Sequence, residues 1–227
     1  MEITWFGETC VRLRGREGIV AADAYRAVVG PTGRGLTADI ATYSHADPDP
    51  GRVTGRGARA SRVDGTGIVR PTSIENAFYL DAPGEYEVHE VLINAVRTYR
   101  DEVKGAERGL NTTFVYELDG LHAAHLGDVG HLLNEEQLAE IGSVELVCVT
   151  LGSSLNAART AELVAQLDTR LVVPLPVGDE RTAAAELERF LREMGVQQAQ
   201  PVPKLSVSIS TVPQETTVIV LEPRGRG

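Results

Sequence analysis

The order of hydrophobic patterns along the chain limits its fold more than any single motif. Short strand-like runs come first, and strand and helix periods alternate over the last hundred residues. Glu2–Phe6, Thr9–Arg14 and Gly18–Ala22 read as a β meander, with turns at Gly7-Glu8 and Gly15–Glu17. A Gly/Pro loop at 30–35 leads to the short apolar run Ala38-Asp39-Ile40-Ala41-Thr42. Further strands are predicted at Asn76–Leu80, Glu85–Val88 and Val91–Tyr99. Asn111–Leu118 and Leu121–Leu126 form a hairpin pattern across Asp119-Gly120, a dipeptide suited to tight hairpin turns. Asn134 then has the features of an N-cap, with Gln137 three residues on and Leu133 and Leu138 placed as a hydrophobic staple. Glu145–Leu151 and Arg170–Leu175 read as buried strands around a helix capped by Asn156. Asp179 opens a second helix with Ala183, Leu187, Phe190, Leu191 and Met194 at helical spacing. Leu205–Ile209 and Thr216–Leu221 read as closing strands. Strands followed by helix–strand alternation predict an α/β (α+β) fold of layered sheets with helices outside. No fixed-period repeat and no interior linker interrupts the pattern, so one domain over 1–227 is expected.

The chain has 227 residues, 42% of them hydrophobic, enough for a sizeable core. Its formal net charge of −10, with no basic cluster interleaved with aromatics, argues against nucleic acid as a partner. Arg52, Arg56, Arg59, Arg62 and Arg70 make segment 51–70 locally basic, but it is Gly-rich and reads as a solvated loop. A charged start followed by an apolar stretch is missing, as is any apolar run of membrane length, so neither secretion nor membrane association is expected. Cys10 and Cys148 are isolated in apolar runs and read as buried, reduced thiols of a cytoplasmic protein.

Chemistry concentrates in Tyr-Ser-His-Ala-Asp-Pro-Asp-Pro, 43–50, at the end of a predicted strand. His45, Asp47 and Asp49 fall at alternate positions of one loop. One borderline nitrogen and two hard oxygens suit Zn²⁺, Mn²⁺ or Mg²⁺. Asp and Pro also form ordinary turns, which is the plainer reading of the same loop.

The opening Met-Glu-Ile-Thr-Trp-Phe-Gly-Glu-Thr-Cys-Val-Arg-Leu, 1–13, resembles that of metallo-β-lactamase-fold hydrolases, in the small cytosolic branch that includes relatives of ascorbate-phosphate lactonase. Ala22-Asp23, the His45 loop, Pro83–Val88, Glu107–Thr112 and His125–His131 continue the resemblance in order along nearly the whole chain. It implies a four-layer αββα sandwich with a two-metal site at the strand ends between the sheets.

The ligand positions that the resemblance implies are largely altered. Where the family has His-x-His-x-Asp-His, this chain has His45-Ala46-Asp47-Pro48-Asp49-Pro50. The family's bridging acid falls on Asp128. Two further family histidines fall on Arg100 and near Pro176, and the branch's early Gly-His-Ser-Cys has become Gly7-Glu8-Thr9-Cys10. Hydrolysis in this fold needs metal to activate water, whereas Arg100 puts a guanidinium where a cation would sit. Pairing of Arg100 with Asp47, Asp49 or Asp128 would plug the site.

The first reading is therefore a superfamily relative with a degenerate metal site, non-catalytic, structural or ligand-binding, with no cofactor expected. The second is a hydrolase of a small phosphorylated or lactone-like metabolite. Its oxygen-rich Mn²⁺, Mg²⁺ or Zn²⁺ site would be built from His45, Asp47, Asp49 and Asp128, with Glu8 as a further oxygen donor and Asp49 and Asp128 as catalytic acids. The third is an assembly module that pairs with a second copy of itself. A small-molecule ligand and homo-oligomerisation stay open as partners. His125 reads as a hydrogen-bonded core histidine, His131 as a packing or capping residue near Asn134, and Asp23 as either a ligand-orienting acid or a turn acceptor.

Overall fold

The computed structural model describes residues 1–46 and 68–224. Two mixed sheets face one another. The first contains β1 (Glu2–Gly7), β2 (Cys10–Arg14), β3 (Ile19–Ala22), β4 (Ile40–Thr42) and β5 (Phe78–Leu80). The second runs through β6 (Gly84–Val88), β7 (Val91–Tyr99), β8 (Leu110–Leu118), β9 (Leu121–His125), β10 (Leu146–Leu151) and β11 (Leu171–Pro176). The short β12 (Leu205–Ser206) joins β1 at the edge of the first sheet, and β13 (Thr217–Val218) joins β11 at the edge of the second. In both sheets an antiparallel meander passes into parallel pairing, at β3–β4 and at β9–β10.

Side-chain burial follows that layering. Ile3, Trp5, Val11 and Leu13 of the first sheet meet Ile93, Phe114, Tyr116 and Cys148 of the second in a shared inner core. The outer face of the second sheet is covered by α2 (Glu135–Ile141), α3 (Ala157–Leu167) and α4 (Glu180–Glu193), which bury Val147, Val172, Leu163 and Phe190. With both faces covered, β10 and β11 have no solvent side, and their near-continuous apolar runs follow. Pro174 and Pro176 fit in β11 because β13 pairs only with Leu171 and Val172. The outer face of the first sheet is covered by a third cluster, including Tyr25, Val29 and Leu36. These layers form the αββα sandwich.

Most predicted elements stand within a residue or two of their expected bounds, but the stretch after β3 and the closing strands differ. Arg26–Val29 forms a short helix, α1, and Gly33–Gly35 a 3-10 turn, where only a loop was expected. One turn is too short to show a hydrophobic period. The closing strands shrink to two residues each, and Ile209–Thr211 turns into a 3-10 segment. The basic segment 51–70 lies mostly outside the described residues.

The cap before α2 has the expected form. The Asn134 side chain accepts from the Gln137 N–H at 2.8 Å, and the Gln137 side chain accepts from the Asn134 N–H at 3.1 Å. Asn134→Ala removes one acceptor of this reciprocal pair and is expected to lower stability by about 1 kcal/mol, measured by denaturant unfolding.

Candidate functional site

The site lies where strand ends from both sheets meet. Because β3 and β4 are parallel and in register, with Ala22 opposite Thr42, the residues after each strand emerge side by side. Asp23 therefore meets Ser44 and His45. One Asp23 oxygen accepts the Ser44 N–H at 2.7 Å and the other accepts the Ser44 hydroxyl at 2.7 Å. The Asp23 carboxylate has 0% exposure, so both bonds lie inside the protein, and its left-handed φ of 53° turns the chain out of β3. Ser44 Oγ lies 2.7 Å from His45 Nδ1. The Tyr25 hydroxyl donates to the His45 carbonyl at 2.5 Å, which holds the backbone of the loop.

Opposite stands the turn after β9. At Gly127, with φ of 65°, a Cβ would fall 2.4 Å from Ser44; at Gly130 it would fall 2.1 Å from the Arg100 carbonyl oxygen. Only glycine permits both approaches, and together they seat Asp128 between the His45 loop and the end of β7. Asn111 fixes the turn further by accepting the Asp128 N–H at 2.9 Å and donating to Thr98 and to the Leu126 carbonyl.

Arg100, immediately after β7, donates through Nε and Nη2 to one oxygen of Asp128, at 2.8 and 2.7 Å. Ser154 donates to the other oxygen at 3.0 Å. Arg108 Nη2 stands 3.8 Å from the Arg100-paired oxygen and also donates to Ser153. The Arg108 loop is organised by Asp101, whose carboxylate accepts the backbone N–H groups of Val103, Gly105, Glu107 and Arg108. Desolvation works to raise the pKa of Asp101, and these four bonds outweigh it and leave it below the usual carboxylate range.

These groups open on a cleft of about 390 Å³ whose lining includes Glu8, Arg34, His45, Arg100, Asp128 and Ser153. Burial pushes His45 below the ordinary imidazole value of 6.5; Asp23 pulls it up, Arg100 pushes it down again, and the net shift is downward. Glu8 accepts the Gly178 N–H at 3.2 Å.

Of the residues expected from sequence, His45, Arg100 and Asp128 converge on this cleft. Asp47, Asp49 and Pro50 lie outside the described residues. Pro176 ends β11, next to the cleft residue Val177. His125 is a core histidine, with Nε2 2.8 Å from the Thr9 carbonyl and 3.8 Å from Asp23. His131 accepts the Tyr99 N–H and bonds the Leu132 carbonyl, so it packs against the end of β7 rather than capping α2. Arg34, Arg108 and Ser154 were not anticipated as site residues. Arg108 lies inside the Glu107–Thr112 run that carries the resemblance, whereas Arg34 and Ser154 belong to none of those runs.

The sequence profile of the β-lactamase superfamily domain matches residues 2–176. This chain belongs to the metallo-β-lactamase superfamily. Among solved structures, it is similar to a Thermotoga maritima protein assigned to the Zn-dependent hydrolases of the superfamily. The two are 25% identical with a TM-score of 0.70, over 97% of each chain. An isothiocyanate hydrolase from Delia radicum gut bacteria has a TM-score of 0.64 at 13% identity, over 92% of this chain and 100% of that one. The diiron β-hydroxylase CmlA from Streptomyces venezuelae has a TM-score of 0.60 at 10% identity, over 92% of this chain and 54% of that one. No curated protein matches significantly.

The described residues of this superfamily member do not fit a two-metal centre. Among them, no group of three or more His, Cys, Asp or Glu side chains is placed to hold a metal ion. Asp128 already meets two guanidinium donors on one oxygen and a hydroxyl on the other. A metal there would have to displace a cation.

Arg100→Ala strands the Asp128 carboxylate, which is only 4% exposed. A loss of about 1–3 kcal/mol is expected, because a buried charge is left without its partner, measured by urea unfolding. His45 gives a pH test. The unfolded chain takes up a proton near 6.5 while the folded imidazole resists it, so stability is retained above that pH and falls as pH drops below it. Between pH 7 and 5.5, His45→Gln should lose less stability than the parent, as measured by thermal melts.

Proposed function

We propose that this protein is a non-hydrolytic member of the superfamily that uses the cleft to bind a small molecule without metal. The observation that supports the reading most is the Arg100–Asp128 contact. A guanidinium with two bonds to one carboxylate oxygen supplies the positive charge that a metal would otherwise give that acid. The Arg100 side chain keeps 23% exposure, so part of it still faces the cleft. The chemistry of the similar proteins, a Zn-dependent hydrolase and a diiron enzyme, needs ligands that the described residues of this chain do not assemble.

We place the protein in the cytoplasm, a reading supported by its thiols. Cys10 and Cys148 are both free and buried. Burial pushes Cys148 up to about 12, and burial with the nearby Asp23 charge raises Cys10 well above 9.0. Such thiols are poor nucleophiles and persist where the surroundings are reducing.

Elemental analysis of protein purified without chelator tests the function. Well under one Zn²⁺ per chain is expected, and addition of Zn²⁺ or Mn²⁺ should leave the melting temperature unchanged. A content of about two Zn²⁺ per chain, at the ligand number usual for such sites, would show that residues outside this set complete a metal centre.

A further inference from the structure

The hydrogen bonds between Asp23, Ser44 and His45 determine which His45 nitrogen carries the proton. The Ser44 hydroxyl has one proton, and the Asp23 carboxylate, an acceptor only, takes it. Ser44 Oγ must then accept from His45, so Nδ1 carries the imidazole proton and Nε2 keeps its lone pair. His45, with Nε2 as its unprotonated nitrogen, is part of the same lining as Arg34 and Arg100. Among the described residues, Arg34 and Arg100 line the cleft together with Glu8 and Asp128, Arg108 stands 3.8 Å from Asp128, and Asp23 lies 3.8 Å from His45.

We propose that the cleft binds a small oxyanion that carries its own O–H, with the anionic oxygens on the guanidiniums and the O–H donated to His45 Nε2. This rests on the metal-free reading above and names the ligand class for that site. The chemistry separates two oxyanions of nearly equal shape. Inorganic phosphate at neutral pH keeps at least one O–H, whereas sulfate has none and would set its lone pairs against the imidazole lone pair. A buried acceptor left without a donor is costly, which makes it a stronger filter than an added attraction.

The test uses full-length protein stripped of metal with a chelator and then dialysed free of it. Inorganic phosphate and sulfate are titrated separately by calorimetry at constant ionic strength. Phosphate is expected to bind at least about tenfold more tightly than sulfate, the worth of one ordinary hydrogen bond. His45→Phe, which keeps an aromatic ring and removes the acceptor, should abolish that preference. Arg100→Gln should weaken both anions. Should either variant fold poorly, nitrogen NMR of the histidine-labelled parent still decides. The Nε2 resonance of His45 should move with phosphate and stay fixed with sulfate. Equal binding of the two anions, binding of neither, or a preference that survives His45→Phe overturns the proposal while leaving the metal-free reading intact. Phosphate binding that appears only after Zn²⁺ is added overturns both.

Discussion

The contact between the inner faces of the two sheets is the constraint on which the site depends. Ile3, Trp5, Val11 and Leu13 pack against Ile93, Phe114, Tyr116 and Cys148, and nearly all are excluded from water. That core fixes where β3, β4, β7 and β9 end. The functional groups follow within a few residues of those ends: Asp23, Ser44, His45, Arg100 and Asp128. Each is polar and sits at the border of an apolar layer. Each therefore needs a partner, and the partners available are one another.

The resulting network has two halves with different jobs. On the first sheet, Asp23 and Ser44 hold the His45 ring and set its tautomer through two 2.7 Å bonds to the Ser44 side chain. On the second, Arg100 and Ser154 satisfy both oxygens of Asp128. The halves are pressed together by glycine. Gly127 lets the turn touch Ser44, and Gly130 lets it lie against the Arg100 carbonyl. A side chain at either position would push the carboxylate away from the guanidinium. Arg100, one of the altered positions, thus sits in a packed, hydrogen-bonded arrangement with Asp128.

Much of the fold was legible because its signals are local. The Asp119-Gly120 turn, the Asn134 capping box, the Asn156 and Asp179 caps and the apolar runs of β10 and β11 depend on neighbours within a few positions. The one-turn helix Arg26–Val29 and the shortened closing strands were not legible. One is too brief to show a period, and the others keep only two paired residues each. In the site, the resemblance pointed to His45, Arg100 and Asp128. The roles of Arg108 and Ser154 lay hidden, since Ser154 and Asp128 are 26 residues apart and meet through a crossover.

The sequence by itself determined the order of strands and helices, the superfamily, and the replacement of imidazoles by Asp, Pro and Arg at the ligand positions. Those properties reside in residue types and short spacings. Only the tertiary structure decided that Arg100 closes on Asp128 and that Ser44 takes its place between Asp23 and His45. Each depends on which strand ends lie side by side. That is set by sheet pairing and core packing between distant segments, and a hydrogen bond between them has no footprint in either segment alone.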